Sequence, residues 1–230
     1  MGKLSFNVNM SFKLYKIEGS PTVRAVLMTA EALQLNFETH SVDFTGGEHK
    51  TPEYLEKNPA HTVPILEEEG FFLADSHAII TYLADKYGDE QSKLYPKDLR
   101  TRATINQRLF FEATVLNSAS TAVSYGVVRD GQTGPTPQQI EDVNECYEIL
   151  DKYLQKTKFV ACDHLTVADF SCIAAVTFMN YWVPVDEKYA KVKAWMKTLE
   201  KEDWYQRGLI PGLTLFKEFM NNFKKKNRSA

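Results

Sequence analysis

Four short stretches of the chain concentrate side chains able to bind or activate a small molecule. The first is Glu-Gly-Ser-Pro-Thr-Val at 18–23, where a strand-like run from Phe12 to Ile17 meets a helix-like run from Val23 to Leu33. Ser20 can cap that helix, with Pro21 at the first helical position, where a missing N–H costs nothing. On this stretch alone capping is the plainer reading; a hydroxyl at such a turn can also face a ligand over the end of a sheet. The second is Asn-Pro-Ala-His-Thr-Val-Pro-Ile-Leu at 58–66. A proline inside an apolar strand removes a ladder donor. A cis Val63–Pro64 bond would bend the chain there and leave the N–H and C=O of Val63 open to an extended peptide. The other reading is an edge strand merely entered through Pro64. The third is Ala-Asp-Ser-His-Ala-Ile-Ile at 74–80. Asp75 or Ser76 can cap a helix there. A helix N-terminus also attracts a carboxylate, and an adjacent Asp attracts an ammonium, so the pair suits an amino-acid head group. The fourth, Gly-Gly-Glu-His-Lys at 46–50, puts His49 and Lys50 where, with His61, they can hold a second carboxylate; an exposed loop histidine is the plainer alternative.

The elements around these stretches divide in two. Up to Gly88 the pattern alternates: strand at 12–17, helix at 23–33, strand at 37–44, a helix opened by Thr51-Pro52, a hairpin from Val63 to Leu73 turning at Glu67 to Gly70, and a helix from Ser76 to Tyr87. The order β-α-β-α-β-β-α is that of a thioredoxin-like α/β unit, assigned to residues 11–89. After a linker holding Pro96, strand signals vanish. Residues 98–128, 138–156, 166–179 and 188–201 carry helical periodicity, and a last helix follows the break expected at Pro211-Gly212 and runs to Phe223. The fold class is therefore α/β followed by an all-α domain at 98–223. Thr166 and Asp169 have the spacing of a capping box and carry no assigned chemistry.

Composition narrows the classes. The chain has 230 residues, 43% hydrophobic and 25% charged, with net charge −3, which lacks the basic excess of a nucleic-acid binder. Three cysteines, Cys146, Cys162 and Cys172, without C-x-x-C spacing argue against disulfides and a metal site; they read as buried thiols of a reducing compartment. No apolar run approaches the ~18 residues of a membrane span. Met1 to Met10 holds one lysine and no long apolar region, so it does not read as a signal peptide, and the cytoplasm is the expected location. The tail with Lys224, Lys225, Lys226 and Arg228 reads as a solvated, frayed end.

A ligand with an amino-acid head, a peptide middle and a terminal carboxylate fits all four stretches. Ser20-Pro21, the Gly-Glu-His run at 47–49, Asn-Pro-x-His-Thr-Val-Pro at 58–64 and Asp-Ser-His-Ala-Ile at 75–79 resemble the insect delta and epsilon glutathione transferases, epsilon especially. Leu94 to Asp98 and Leu165 to Phe170 extend the resemblance over nearly the whole chain. It implies an enzyme that conjugates glutathione, its co-substrate, to hydrophobic electrophiles, with elimination or peroxide reduction as further reactions and no metal. Ser20 then matches the catalytic serine, Val63 and the cis Pro64 the cysteinyl site, and Asp75 and Ser76 the γ-glutamyl site. His49 and His61 match the glycyl end, His77 matches a position often His or Arg, and Thr62 adds a contact. The electrophile site is expected between the domains, at Phe44 and at Asn117, Ser120, Thr121, Ser124 and Tyr125 on the long first helix of the second domain. The alternative is a carrier of hydrophobic compounds such as steroids or haem. The resemblance also implies a homodimer. Apolar Ile79, Ile80, Tyr82 and Leu83 on more than one helix face and the rim-like Arg100, Arg102 and Arg108 suit such a contact. Gly19, where the family more often has a bulkier residue, is a departure.

Overall fold

The computed structural model describes residues 12–89 and 93–228, with side chains up to residue 224; the readings of the first ten residues and of Lys225, Lys226 and Arg228 fall outside those limits. The first half is a four-stranded sheet in the order β2-β1-β3-β4. Strand β1 (Phe12–Lys16) runs parallel to β2 (Phe37–Ser41) and antiparallel to β3 (Ile65–Glu68), which pairs with β4 (Phe71–Ala74). The β3–β4 turn has positive φ at both Glu69 (50°) and Gly70 (83°), the backbone of a type I′ hairpin. Helices α1 (Pro21–Ala32), α2 (Pro52–Lys57) and α3 (Ser76–Tyr87) complete the expected order. Strand β2 ends three residues before Phe44: Val42 N–H still donates to the Lys16 carbonyl at 2.8 Å, and the chain then turns into the glycine loop.

The second half is helical: α4 (Leu99–Phe111), a π turn (Glu112–Leu116), α5 (Asn117–Val128), α6 (Pro137–Leu154), α7 (Val167–Trp182), α8 (Ala190–Leu199), α9 (Asp203–Gly208) and α10 (Ile210–Arg228). The α7 helix is its axis, with 14 of 16 residues buried. Its start is the expected capping box, Thr166 with Asp169. The Asp169 carboxylate, fully buried, also takes N–H bonds from Val160 (3.0 Å) and the Trp195 indole (3.0 Å). Pro211 does not break the chain. It falls in the first turn of α10, where no N–H is needed.

One core runs through both halves, joining Leu14, Val26 and Ile79 to Ile105, Phe170 and Val176. Each fully buried aliphatic side chain contributes about 1.5–3 kcal/mol, so the halves are held as a unit. This core overturns part of the dimer reasoning. Ile79, Ile80 and Leu83 are wholly buried within their own chain, and the Tyr82 hydroxyl bonds Glu68. Arg102 is tied to Asp85 and to the Tyr95 and Pro96 carbonyls, and Arg108 to the Val160 carbonyl over the Tyr153 ring, so neither is a free rim charge. Cys146 and Cys172 are buried, but Cys162 is only half-buried, with its sulfur 2.7 Å from His164 Nδ1. Lys224 is not loose either: its ammonium lies over the Tyr181 and Trp182 rings, at 4.7 and 4.8 Å.

Candidate functional site

Ser20 stands at the N-cap of α1, yet its side chain makes no capping bond. Its hydroxyl oxygen lies 2.9 Å from that of Thr22, and the Thr22 hydroxyl donates to the Val63 carbonyl at 3.4 Å. The capping alternative therefore fails. Gly19, with φ +85°, makes the turn; a Cβ there would press on Phe216 Cβ at 3.1 Å and the Gly212 carbonyl at 3.3 Å, both on α10. Only glycine fits where α10 crosses so closely.

The Val63–Pro64 bond is cis, as one of the two readings of this stretch expects, and β3 begins directly after it. The Val63 carbonyl is not entirely free, given its long contact from Thr22. The loop before it is pinned by Asn58, which is buried: its amide donates to the carbonyl and hydroxyl of Thr62, each at 3.0 Å, while its oxygen accepts from Ala60 N. The Tyr54 hydroxyl adds a 2.7 Å bond to the Thr62 carbonyl. His61 and Thr62 are thereby presented at the surface, His61 with φ +48°. His49 sits near His61, ring centroids 6.1 Å apart, and its buried Nδ1 has no partner among the described residues. Phe44 stacks flat on His49 at 4.1 Å and packs with Tyr15, Val42, Tyr54 and Ile65, so it belongs with the histidine end of the cleft. The glycine loop itself is braced by Glu48, which accepts from Asp43 N at 2.7 Å and meets His40 at 2.5 Å. Those bonds hold its carboxyl below the usual range.

Asp75 caps α3, accepting from the N–H groups of His77 (2.8 Å) and Ala78 (3.2 Å). Its φ of +76° is rare for a residue with a Cβ, and such strain of about 1–3 kcal/mol is held at functional sites by surrounding bonds. His77 supplies them. Its Nδ1 is 3.3 Å from Asp75, and its Nε2 is 2.5 Å from the buried carboxylate of Glu112 in the π turn. Ser171 of α7 contacts both, at 3.0 Å each. With a carboxylate on each nitrogen, both nitrogens donate and the ring is an imidazolium. Burial pulls the His77 pKa down, but the bonds and charges of Asp75 and Glu112 outweigh it and raise the value to about 9. The same contact, first among its causes, holds the Asp75 carboxyl low. Ser76 is buried at the first position of the helix.

Arg24, one turn past Ser20, is 1% exposed; it donates to the Thr177 hydroxyl at 3.1 Å, while Nε and Nη2 lack partners. Burial pulls its guanidinium down to about 10, so it remains charged at neutral pH. Helix α7 thus fixes both sides of the site, through Thr177 to α1 and Ser171 to α3. Sequence reasoning missed Thr22, Arg24, Glu112 and Ser171. Glu112 and Ser171 lie far from the motifs in sequence, and nothing local marks them.

On α5, Asn117, Thr121 and Ser124 are half-buried, and Tyr125 is exposed with Arg129 over its ring at 4.8 Å. Thr121 reaches the Asn117 side-chain oxygen at 3.4 Å. Ser120 is different: it is buried and returns its hydroxyl to the Asn117 carbonyl, so it packs inside the helical half instead of lining an open wall. The contact of α10 with the Ser20 turn was not expected.

The N-terminal domain model of glutathione S-transferases matches residues 14–91, and their C-terminal domain model matches residues 119–203. The chain belongs to the glutathione S-transferase family. Glutathione S-transferase 1 of Manduca sexta is 38% identical to it over 214 residues, 92% of this chain and 98% of that protein. The structure of an epsilon-class glutathione S-transferase from the housefly, Musca domestica, superposes with a TM-score of 0.88 at 40% identity, covering 93% of this chain and 98% of the other. A glutathione transferase homologue from Drosophila mojavensis, solved with bound glutathione, gives 0.84 at 36% identity, covering 96% and 97%. This glutathione S-transferase is therefore an enzyme that uses glutathione as co-substrate, with relatives in the insect epsilon and delta classes. No helix among its described residues is long and apolar enough to cross a membrane.

Proposed function

We propose that Ser20 activates glutathione by donating its hydroxyl hydrogen to the sulfur, and that the resulting thiolate attacks hydrophobic electrophiles. The observation that carries this is the Ser20 hydroxyl itself, unused as a cap and one hydroxyl away from the Val63 carbonyl. In this reading the cysteinyl unit pairs with the Val63 backbone beside Pro64. Asp75, Ser76 and the α3 N-terminus take the ammonium and carboxylate of the γ-glutamyl head, with His77 holding Asp75. His49, His61 and Thr62 face the glycyl carboxylate, a role the unpartnered His49 Nδ1 supports. Residues 11–89 form the glutathione domain. Residues 98–223 supply the electrophile site, along Asn117, Thr121, Ser124 and Tyr125, with Phe44 across the cleft.

A free thiol has a pKa near ~8.5 and is only a few per cent ionised at pH 7. Lowering it by about two units takes roughly 2.7 kcal/mol of differential stabilisation. One charge-assisted hydrogen bond contributes about 1.5–3 kcal/mol, so a single serine with a helix N-terminus nearby suffices. The setting proposed is a cytoplasmic homodimer that conjugates xenobiotics. Ultraviolet titration of bound glutathione tests the mechanism: Ser20→Ala should raise the thiol pKa by about two units with glutathione affinity nearly intact. An unchanged pKa removes Ser20 from the chemistry. Absence of turnover with a generic aryl halide, in a protein that still takes up hydrophobic dyes, points to the carrier reading instead.

A further inference from the structure

A hydroxyl carries one hydrogen. In the structure Thr22 spends its hydrogen on the Val63 carbonyl at 3.4 Å. Either hydroxyl can donate across the 2.9 Å contact between the Thr22 and Ser20 oxygens; with the Thr22 hydrogen on the carbonyl, that contact takes the hydrogen of Ser20. Before glutathione arrives, the serine hydrogen that the sulfur needs is engaged elsewhere. We propose that Thr22 is a positioning residue that releases this hydrogen when the Val63 carbonyl is taken by the cysteinyl N–H of glutathione. The inference rests on the assignment of Ser20 and Val63 made above.

The Thr22–Val63 contact is at the long end for O–H···O, well beyond the usual 2.5–3.0 Å, so a better-placed amide displaces it easily. The freed Thr22 hydrogen has one good acceptor at hand, the Ser20 oxygen at 2.9 Å. Rotating there, it obliges Ser20 to point its own hydrogen at the sulfur. The bonds then run in one direction, Thr22 O–H to Ser20 O, and Ser20 O–H to the thiolate. Each bond in such a chain polarises the next, by about 10–30%. Both hydroxyl hydrogens stay on their oxygens; the one bond broken is the S–H of glutathione, whose electron pair stays on sulfur while the proton leaves to solvent. Occupation of the peptide-binding backbone at Val63 is thereby coupled to activation at Ser20, two residues before Thr22. Thr22 is half-buried at the second position of α1, where its hydroxyl caps nothing. A purely structural purpose leaves its orientation unexplained.

The test is the thiol pKa of bound glutathione in wild type, Thr22→Val, Thr22→Ser and Ser20→Ala, with Thr22→Val repeated in the Ser20→Ala background. The buried ionisable groups on α1 and the elements against it, namely Arg24, His77, Asp169, Cys172 and Tyr205, are the same in every variant. A shift therefore reports the hydroxyl chain. Thr22→Val should raise the pKa by about half a unit, roughly threefold in thiolate fraction, with S-methylglutathione affinity unchanged. Thr22→Ser should restore the wild-type value, and Thr22→Val should have no effect once Ser20 is alanine. An unchanged pKa in Thr22→Val, as when Val63 accepts from both donors at once, overturns the inference; so does an equal shift in both backgrounds. Should valine perturb the turn, Thr22→Ala repeats the measurement, and failure of both to fold makes Thr22 a framework residue and also overturns it. If Ser20→Ala itself shifts nothing, the assignment of Ser20 falls first, and the two failures are told apart.

Discussion

His77 Nε2 lies 2.5 Å from Glu112 Oε2, joining the first turn of α3 to the π turn of the helical half. The same ring holds Asp75 on its other nitrogen. A charge buried in the second half thus sets the position of the Asp75 carboxylate in the first, the group proposed to take the ammonium of glutathione. Glu112 is 5% exposed, so removing its partner leaves an uncompensated buried charge.

The pH dependence of this pair has a definite sign. His77 has its pKa raised to about 9 in the folded protein, above the ordinary value of 6.5. The stability it contributes is complete below pH ~6.5 and is lost as pH rises through about 9. Glu112→Gln should therefore cost about 3 kcal/mol near pH 6, and the gap to wild type should shrink toward pH 10. Thermal unfolding of both proteins across that range checks it. A gap that does not change with pH denies the imidazolium.

Asp75→Asn separates capping from charge. Asparagine is as good an N-cap as aspartate and tolerates positive φ, so α3 should start unchanged. In the proposed binding mode the ammonium of the γ-glutamyl head loses its counter-ion. Glutathione affinity should fall about 10- to 100-fold, roughly 1.4–2.7 kcal/mol, by equilibrium dialysis. Equal affinity in both proteins would return Asp75 to the role of a helix cap.

How much of this was legible depended on whether the signal was local. Ser20-Pro21, the proline at 64 and the cap at 75–76 are marked by immediate neighbours, but those neighbours left two readings open at each place, and at Ser20 the capping one fails. Glu112 was not legible, because apolar spacing along 98–128 reads as one helix. The π turn that coincides with Glu112 meeting His77 leaves no mark in a 3.6-residue period. Pro211 was misread for a related reason: proline breaks a helix only inside it, and where α10 begins is decided by packing on the Ser20 turn. Ser120 was read as a pocket residue from its type, while its burial is fixed by α5 packing against other helices.

Arg24 offers a stability test. No carboxylate among the described residues pairs with its guanidinium, and two of its nitrogens are unbonded. A buried cation without a partner carries a desolvation penalty of several kcal/mol. Arg24→Met keeps the long stem and removes the charge. It should stabilise the fold by about 1–3 kcal/mol, a rise of several degrees in Tm. A fall in Tm by calorimetry would mean that ordered water or substrate supplies the missing partners.

The last prediction concerns assembly. Phe110 is 69% exposed and Leu99 81%, unusual for large apolar side chains on a free surface. Phe110 flanks a cleft of about 430 Å³ between α3 and α4, lined also by Ala78, Thr81, Asn106 and Ala113. Small residues beside an outstanding aromatic ring form a surface that can be complementary to itself. In a two-fold dimer the same patch meets its copy, so each Phe110 finds a partner and each loss counts twice. Truncating one well-packed aromatic anchor costs about 2 kcal/mol or more, hence about 4 kcal/mol for the pair, near a thousandfold in dissociation constant. Sedimentation equilibrium at micromolar concentration should give twice the 26.3 kDa chain mass for the wild type. Phe110→Asp should give the single mass, with α4 intact by circular dichroism. A wild-type monomer that still binds glutathione fully would show that one chain completes the site alone and that the exposed ring serves another contact.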